Sequence, residues 1–436
     1  MGNNCIKGHT KHKEKYSLPP STISTGMDDQ AELEDFLRMN GVHQMNESNG
    51  QPNVSQVNRS FTDFRVSTVT FAIPRFYDVV DENCYLGGGS YGNVMKANMK
   101  TRTTKEVVVA IKKLARPFAS VNNARRVFRE LRLLQLMRHD NVIRAVDMYS
   151  PDKNFASFRD VYVVTEFAGH SLHDILKAQR ESGNTLIQLE HAKFIIYQIL
   201  RALKYIHSAN VMHRDLKPSN LALTPNCDLT VLDFGLARTV EPQNNTMLSQ
   251  YVMTRWYRSP EVIYWNIGSY DKQADVWSVG CIAAELFIQK PLFPGESQNR
   301  QYSMIVELCG CPDEILLDKI EQKNNENMRK VIEKESMGRP RVNFHHHFNS
   351  ANDTLEWDAI DFLDKVLVLD PERRLTVEQA LQHPYLKTYH QPHDEPVAHE
   401  PFVINDQDIN TIEAWKEIIW NEIQNFNGND DSPVFA

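Results

Sequence analysis

The stretch His213-Arg214-Asp215-Leu216-Lys217-Pro218-Ser219-Asn220, followed thirteen residues further on by Asp233-Phe234-Gly235, decides how this chain is read. Asp215 is spaced to accept a proton from a hydroxyl, and Lys217 to meet phosphoryl oxygens. Asn220 and Asp233 supply the oxygen donors that hold magnesium between nucleotide phosphates. Phosphoryl transfer asks little covalent chemistry of a protein. It needs metal ligands, a base and a cation fixed along one line of attack. A loop holding His, Arg and Asp is common; this octapeptide with Asp-Phe-Gly at this distance is not.

Upstream, Gly87-Gly88-Gly89-Ser90-Tyr91-Gly92-Asn93-Val94 fits G-x-G-x-x-G-x-V between two expected strands. Its glycines let the backbone close over phosphates and donate N–H groups to them. Taken alone that pattern is weak, but a dinucleotide fold would place a helix after it, and here a second strand follows. Val109-Ala110-Ile111-Lys112 lies beyond it. A lysine inside an apolar strand is costly unless it meets anions, so Lys112 is expected on the α- and β-phosphates, with Glu130 of the next helix as its partner. Thr165-Glu166-Phe167-Ala168-Gly169 reads as a connector whose backbone meets the adenine edge, with small Thr165 at its inner end. The nucleotide site is thus assigned to Leu86, Gly87, Gly89, Gly92, Val94, Ala110, Lys112, Thr165 and Ala168.

The chain has 436 residues, 41% apolar and 24% charged, with a net charge of -8. This is an ordinary globular composition without the basic surplus of a general nucleic-acid binder. No apolar run is long enough to cross a bilayer, and residues 1–30 hold no signal-peptide core. Six scattered cysteines point to a reducing compartment rather than a disulfide framework. Cys309-Gly310-Cys311 lacks the second pair a zinc site needs, and His345-His346-His347 is read as a solvated loop.

Residues 1–60 are polar, with Tyr16 and Phe36 their only aromatics, and are expected to be largely disordered; Leu33, Phe36 and Leu37 share a helical face over 28–39, read as a solvated fluctuation in preference to a transient helix or docking element. From about Phe76 short β-rich runs follow: 77–80, 85–86, 93–97, 107–112 and 161–165. Residues 121–137 read as a helix with Val127, Leu131, Leu134 and Met137 on one face. Residues 189–208 and 274–288 read as helices too, the second apolar nearly all round. A small β-rich lobe therefore precedes a larger helical one.

Residues 87–94, Lys112, Glu130, 213–220, 233–235 and Ser259-Pro260-Glu261 together resemble the signature set of eukaryotic protein kinases, of the serine/threonine type by Lys217. Residues 112–118, 128–134, 251–258, 276–282, 367–374 and 394–397 are similar to mitogen-activated protein kinases, closest to the stress-activated subgroup. The resemblance covers about residues 72–426. It implies an α+β, two-lobed fold using ATP and Mg2+, with an N-lobe over about 72–168 and a C-lobe over about 169–386. It also implies an insert over about 291–348, and a C-terminal extension, 387–436, that packs back on the N-lobe through Trp415, Ile418, Ile419 and Ile423; residues 1–70 fall outside as a disordered extension. By the same resemblance Glu261 pairs with Arg374, and Asp275 holds the catalytic-loop backbone.

The resemblance further implies a switch by phosphorylation of Ser249 and Tyr251, standing as Ser249-Gln250-Tyr251 where the family has Thr-x-Tyr. Phospho-Ser249 would meet Arg126, Arg129, Arg214 and Arg238, and phospho-Tyr251 would meet Arg255 and Arg258; Thr246 and Ser259 are the alternative acceptors. The implied partners are an upstream dual-specificity kinase, phosphatases, and substrates bearing docking peptides and Ser-Pro or Thr-Pro sites, with the chain in cytoplasm and nucleus. The acidic docking patch is reduced to Asp394 and Glu395, flanked by Gln391 and His393. No direct contact with nucleic acid is expected. Membrane attachment would come only through acylation of Gly2 and Cys5 beside Lys7, Lys11, Lys13 and Lys15.

Overall fold

The computed structural model describes residues 59–79, 83–89, 91–99, 107–239, 255–265, 271–323, 326–336, 338–406 and 409–426. Residues 28–39, Gly2, Cys5, Thr246, Ser249 and Tyr251 all lie outside them.

The N-lobe opens with a hairpin, β1 (Phe61–Val66) and β2 (Val69–Pro74). An antiparallel sheet follows, made of β3 (Tyr77–Asp78), β4 (Tyr85–Gly89), β5 (Gly92–Met99), β6 (Val107–Leu114), β7 (Ala145–Tyr149) and β8 (Tyr162–Glu166). Its path runs β3-β5-β6-β8-β7, with β4 also on β5. Between β6 and β7 lies α1 (Val121–Leu136), capped by the Ser120 hydroxyl, which accepts from the Asn123 N–H.

The hairpin corrects the expectation of disorder up to residue 70. The polar neighbourhood hid an alternating apolar face: Val66, Phe71 and Ile73 are buried, and Phe61 and Phe64 pack beside them. Tyr149 donates its hydroxyl to the Ala72 carbonyl at 3.0 Å, and Tyr162 accepts from the Ala72 N–H at 3.1 Å. Arg59 makes a two-pronged bond to Asp147 at 2.7 and 3.0 Å, fixing the entry to β1.

The C-lobe begins with β9 (His170–Ser171), α2 (Leu172–Ser182) and α3 (Leu189–Ser208). Short strands β10 (Val211–Met212), β11 (Leu221–Leu223), β12 (Leu229–Val231) and β13 (Arg238–Thr239) carry the candidate site. Next comes α4 (Gln273–Ile288), whose residues 274–287 are all buried, as an apolar circumference requires. The insert contains α5 (Gln298–Cys309), α6 (Glu314–Lys323) and α7 (Glu326–Ser336).

The insert's expected end, Phe348, falls inside α8 (Phe344–Ala351), because Asn343 caps that helix and Phe344 and Phe348 are both buried on it. His345, His346 and His347 therefore sit on α8 and not on a loop, with His345 stacked on Trp357 at 4.7 Å. Cys309 is buried and Cys311 exposed, and no metal-binding group of three or more side chains occurs among the described residues. No described helix is long and apolar enough to cross a membrane.

After α9 (Trp357–Val366) and α10 (Val377–Leu381), the extension ends in α11 (Ile412–Gln424) against α1. Trp415, Ile419 and Ile423 are fully buried and Ile418 is half-buried, with the Trp415 ring 5.4 Å from Phe128. Burying each isoleucine contributes on the order of 1.5–3 kcal/mol, so the extension holds the helix that bears Glu130.

Candidate active site

Strand pairing sets the nucleotide side of the cleft. Val94 lies opposite Lys112, and Ala110 opposite Thr165, so the strand residues expected around a base and its phosphates share three adjacent strands. Leu86, Val94, Ala110, Thr165 and Ala168 all keep some exposure, Leu86 42% of its surface. Gly87 faces Val94 across the hairpin. At Gly92, φ is +154° and a β-carbon would lie 2.4 Å from the Lys113 carbonyl, so only glycine lets β5 and β6 approach there. Gly89 has nothing within 4 Å of where a β-carbon would stand.

Lys112 Nζ donates to Glu130 Oε1 at 2.6 Å and to Asp233 Oδ1 at 3.4 Å. Burial works against this ammonium, but Asp233 and Glu130 outweigh it and hold Lys112 well above the ordinary lysine range. Burial likewise opposes the Asp233 charge. Lys112, the Gly235 N–H, His213 and Lys217 overcome it, so the carboxyl lies below its usual range. Asp233 adopts φ +60°, a conformation that non-glycine residues seldom take, and accepts from the Gly235 N–H at 3.0 Å.

The catalytic loop hangs from one buried carboxylate. Asp275 on α4 accepts from the His213 and Arg214 N–H groups at 2.9 and 2.8 Å and bonds His207 Nε2 at 2.9 Å. Those bonds over-determine a strained turn in which Arg214 has φ +69°. Beyond it, Asp215 Oδ2 accepts from Lys217 Nζ at 2.6 Å and from Asn220 Nδ2 at 3.0 Å, and Asn220 Nδ2 also reaches the Asp215 carbonyl at 2.8 Å. Lys217 and Asn220 thus both meet Oδ2 and neither meets Oδ1, which keeps its capacity to accept a proton. The amide bonds of Asn220 use its nitrogen, so its carbonyl oxygen and a carboxylate oxygen of Asp233 remain as hard donors of the kind magnesium takes.

Four arginines on the far side converge. Burial and the fields of Arg129 and Arg214 push Arg238 down to about 9, with Asp406 opposing the shift and Arg125 adding to it. The guanidinium thus stays charged at neutral pH, at a cost that an anion would relieve. Arg126, expected with them, lies over the Tyr91 ring at 4.9 Å. Arg125, one turn before Arg129 on the same helix, adds its field at Arg238. Arg255 and Arg258 are half-buried next to each other, the Arg258 N–H bonding the Arg255 carbonyl at 3.1 Å. Ser259 is 1% exposed, which removes it as an accessible acceptor.

The docking expectation is half corrected. Glu395 is 3% exposed and bonds Lys204 at 3.0 Å and His390 at 2.7 Å. Burial opposes its charge, yet those two cations hold it below the ordinary glutamate range, so it is neutralised within the fold and offers no surface charge. Asp394 keeps a half-exposed side chain, 3.4 Å from Arg201.

Arg374 is fully buried against Glu261, with bonds at 2.8 and 3.1 Å and further ones to the Gln273 and Val368 carbonyls. Glu261→Ala leaves that guanidinium without a counter-charge and should destabilise the C-lobe by about 3–5 kcal/mol. Urea unfolding checks this; a loss under about 1 kcal/mol, the scale of a surface ion pair, would show the pair to be incidental.

The family described as "Protein kinase domain" matches residues 80–386. The chain is 54% identical over 377 residues to mitogen-activated protein kinase pmk-3 of Caenorhabditis elegans, covering 86% of this chain and 78% of that protein. It is 44% identical to mitogen-activated protein kinase 14 of Xenopus laevis (78% and 88% covered) and 41% identical to mitogen-activated protein kinase p38b of Drosophila melanogaster (84% and 94% covered).

Proposed function

This chain belongs to the protein kinase family and within it to the p38-type mitogen-activated protein kinases, serine/threonine kinases of stress signalling that use ATP and a divalent metal, and from that premise we propose that it is proline-directed and switched on by phosphorylation of both Ser249 and Tyr251. The transfer chemistry is supported by the unbroken chain Glu130–Lys112–Asp233 beside an Asp215 whose Oδ2 is held by Lys217 and Asn220, and the switch by the arginines whose fields meet at Arg238.

In this reading Lys112, held by Glu130, orients the α- and β-phosphates of ATP under residues 87–92. Asp215 Oδ1 accepts the proton of the acceptor hydroxyl, and Lys217, 2.6 Å from Asp215, meets charge developing on the transferred group. Asn220 and Asp233 would hold Mg2+, which when bound neutralises phosphate charge. Arg129, Arg214 and Arg238 receive phospho-Ser249, joined by Arg125, while Arg255 and Arg258 receive phospho-Tyr251.

Upstream kinases, phosphatases and substrates are the partners that mitogen-activated protein kinases generally have. For this chain we propose a dual-specificity activator, and docking that relies on Asp394 more than on Glu395. Kinship with the family also supports residence in cytoplasm and nucleus, which imaging of the tagged chain would test.

Proline direction follows from residues 252–256, Val-Met-Thr-Arg-Trp, the segment that lines the position after the target residue in this family. Proline there leaves no buried N–H unpaired, and any other residue does. A peptide array with the doubly phosphorylated chain should favour Ser-Pro and Thr-Pro over Ser-Ala by about tenfold or more, the equivalent of one lost bond at 1–3 kcal/mol. Equal rates on both would remove the claim.

A further inference from the structure

The pattern G-x-G-x-x-G asks for glycine at 87, 89 and 92, and the chain has a further one at 88. Gly87 and Gly92 take positive φ, +148° and +154°, and Gly88 does not. Backbone conformation therefore does not require glycine at 88. Space does. A β-carbon there would stand 2.3 Å from both the Tyr85 hydroxyl and Asn93 Oδ1. Those two atoms are bonded to each other, Tyr85 donating at 2.9 Å. Gly88 pairs with Asn93 and Gly87 with Val94 across β4 and β5, so the bond lies on the face of the hairpin opposite Val94. The register shifts between Tyr85 and Gly87, an irregularity of the kind that re-aims a side chain.

We infer that the Tyr85–Asn93 bond is a latch that holds the glycine loop closed over the phosphates of ATP, so that Tyr85 and Asn93 are positioning residues for the nucleotide and Gly88 is kept small to admit them. The inference rests on the reading that residues 87–92 cover those phosphates. The bond joins the residue two before Gly87 to the residue after Gly92, and so brackets the whole motif. Three consecutive glycines leave the loop with great backbone freedom, which is lost whenever the loop settles on a ligand. Closing the ring beforehand removes open conformations from the free protein, so less entropy is lost when ATP binds. Tyrosine suits this task, because a large, rigid side chain has only two torsions to fix. Asn93 and the bond it makes lie off the Val94 face, so the latch acts through the loop and not by touching phosphate.

The test measures the dissociation constants of ATP, with Mg2+ present, and of adenosine for the unphosphorylated full-length chain and for its Tyr85→Phe, Gly88→Ala and doubly substituted forms. Tyr85→Phe keeps the ring and removes the bond. It should weaken ATP by more than about twofold and up to about tenfold, the range of one neutral hydrogen bond, and leave adenosine within about twofold. Gly88→Ala pushes the same two atoms apart and should weaken ATP alike. Added to Tyr85→Phe it should weaken ATP no further, because the latch is already gone. A Tyr85 that only stabilises the fold would lower the thermal midpoint and the fraction of chain that binds while leaving both constants unchanged, and that result overturns the inference. Equal weakening of ATP and adenosine also overturns it, since the residue would then shape the base pocket and not the loop. So do effects of the two substitutions that simply multiply. If the parent binds ATP no more tightly than adenosine, residues 87–92 do not engage the phosphates, and the inference falls with that reading.

Discussion

Asp215→Asn is expected to lower turnover by about 10²–10⁴-fold, the range a positioned general base supplies, while leaving ATP affinity unchanged. The separation follows from the geometry. Lys112, Glu130 and Asp233 form one connected group on the nucleotide side, and Asp215 belongs to another, with Lys217 and Asn220. Asparagine keeps an acceptor for the Lys217 and Asn220 bonds, so the loop hung from Asp275 should keep its shape. What is lost is a proton acceptor at Oδ1. Single-turnover transfer and nucleotide titration of the variant check both halves. Wild-type turnover would contradict the assignment of the base, and loss of ATP binding would show that the loop itself had collapsed.

The second large effect is at the switch. Ser249→Ala should hold stimulated activity about 100-fold below the parent, because moving a segment from about 1% to 99% ordered needs roughly 5.5 kcal/mol. Each bond from arginine to phosphate contributes roughly 1.5–3 kcal/mol, so Arg129, Arg214 and Arg238 together suffice. These arginines come from α1, the catalytic loop and β13, and so link the helix bearing Glu130 to the strand that follows Gly235. Ser249→Thr offers the same oxygens and should remain activatable. Activity of each variant after treatment with the upstream kinase is the measurement, and full activity in Ser249→Ala would remove the mechanism.

Most of the architecture was legible because it rests on local periodicity. The expected helix over 189–208 matches α3, and those over 121–137 and 274–288 match α1 and α4 to within a residue. The Lys112–Glu130 pair followed from the cost of burying a lone charge. The misses share a different cause, contacts between distant segments. The β1–β2 hairpin is held by Tyr149, Tyr162 and Asp147, which no window around residue 65 contains. Glu395 looked like surface charge because nothing near it in sequence announces Lys204. Arg125 was not expected at the arginine cluster, because both 125 and 126 lie within helical reach of Arg129 and spacing alone does not separate them.

The most direct test of the account is transfer of 32P from the γ-position of ATP to a Ser-Pro peptide, comparing the chain phosphorylated on Ser249 and Tyr251, the unphosphorylated chain, and doubly phosphorylated Asp215→Asn, with and without Mg2+. The account predicts Mg2+-dependent transfer by the first alone, about 100-fold above the second. Equal transfer by the phosphorylated and unphosphorylated chains, or transfer undiminished by Asp215→Asn, would contradict it.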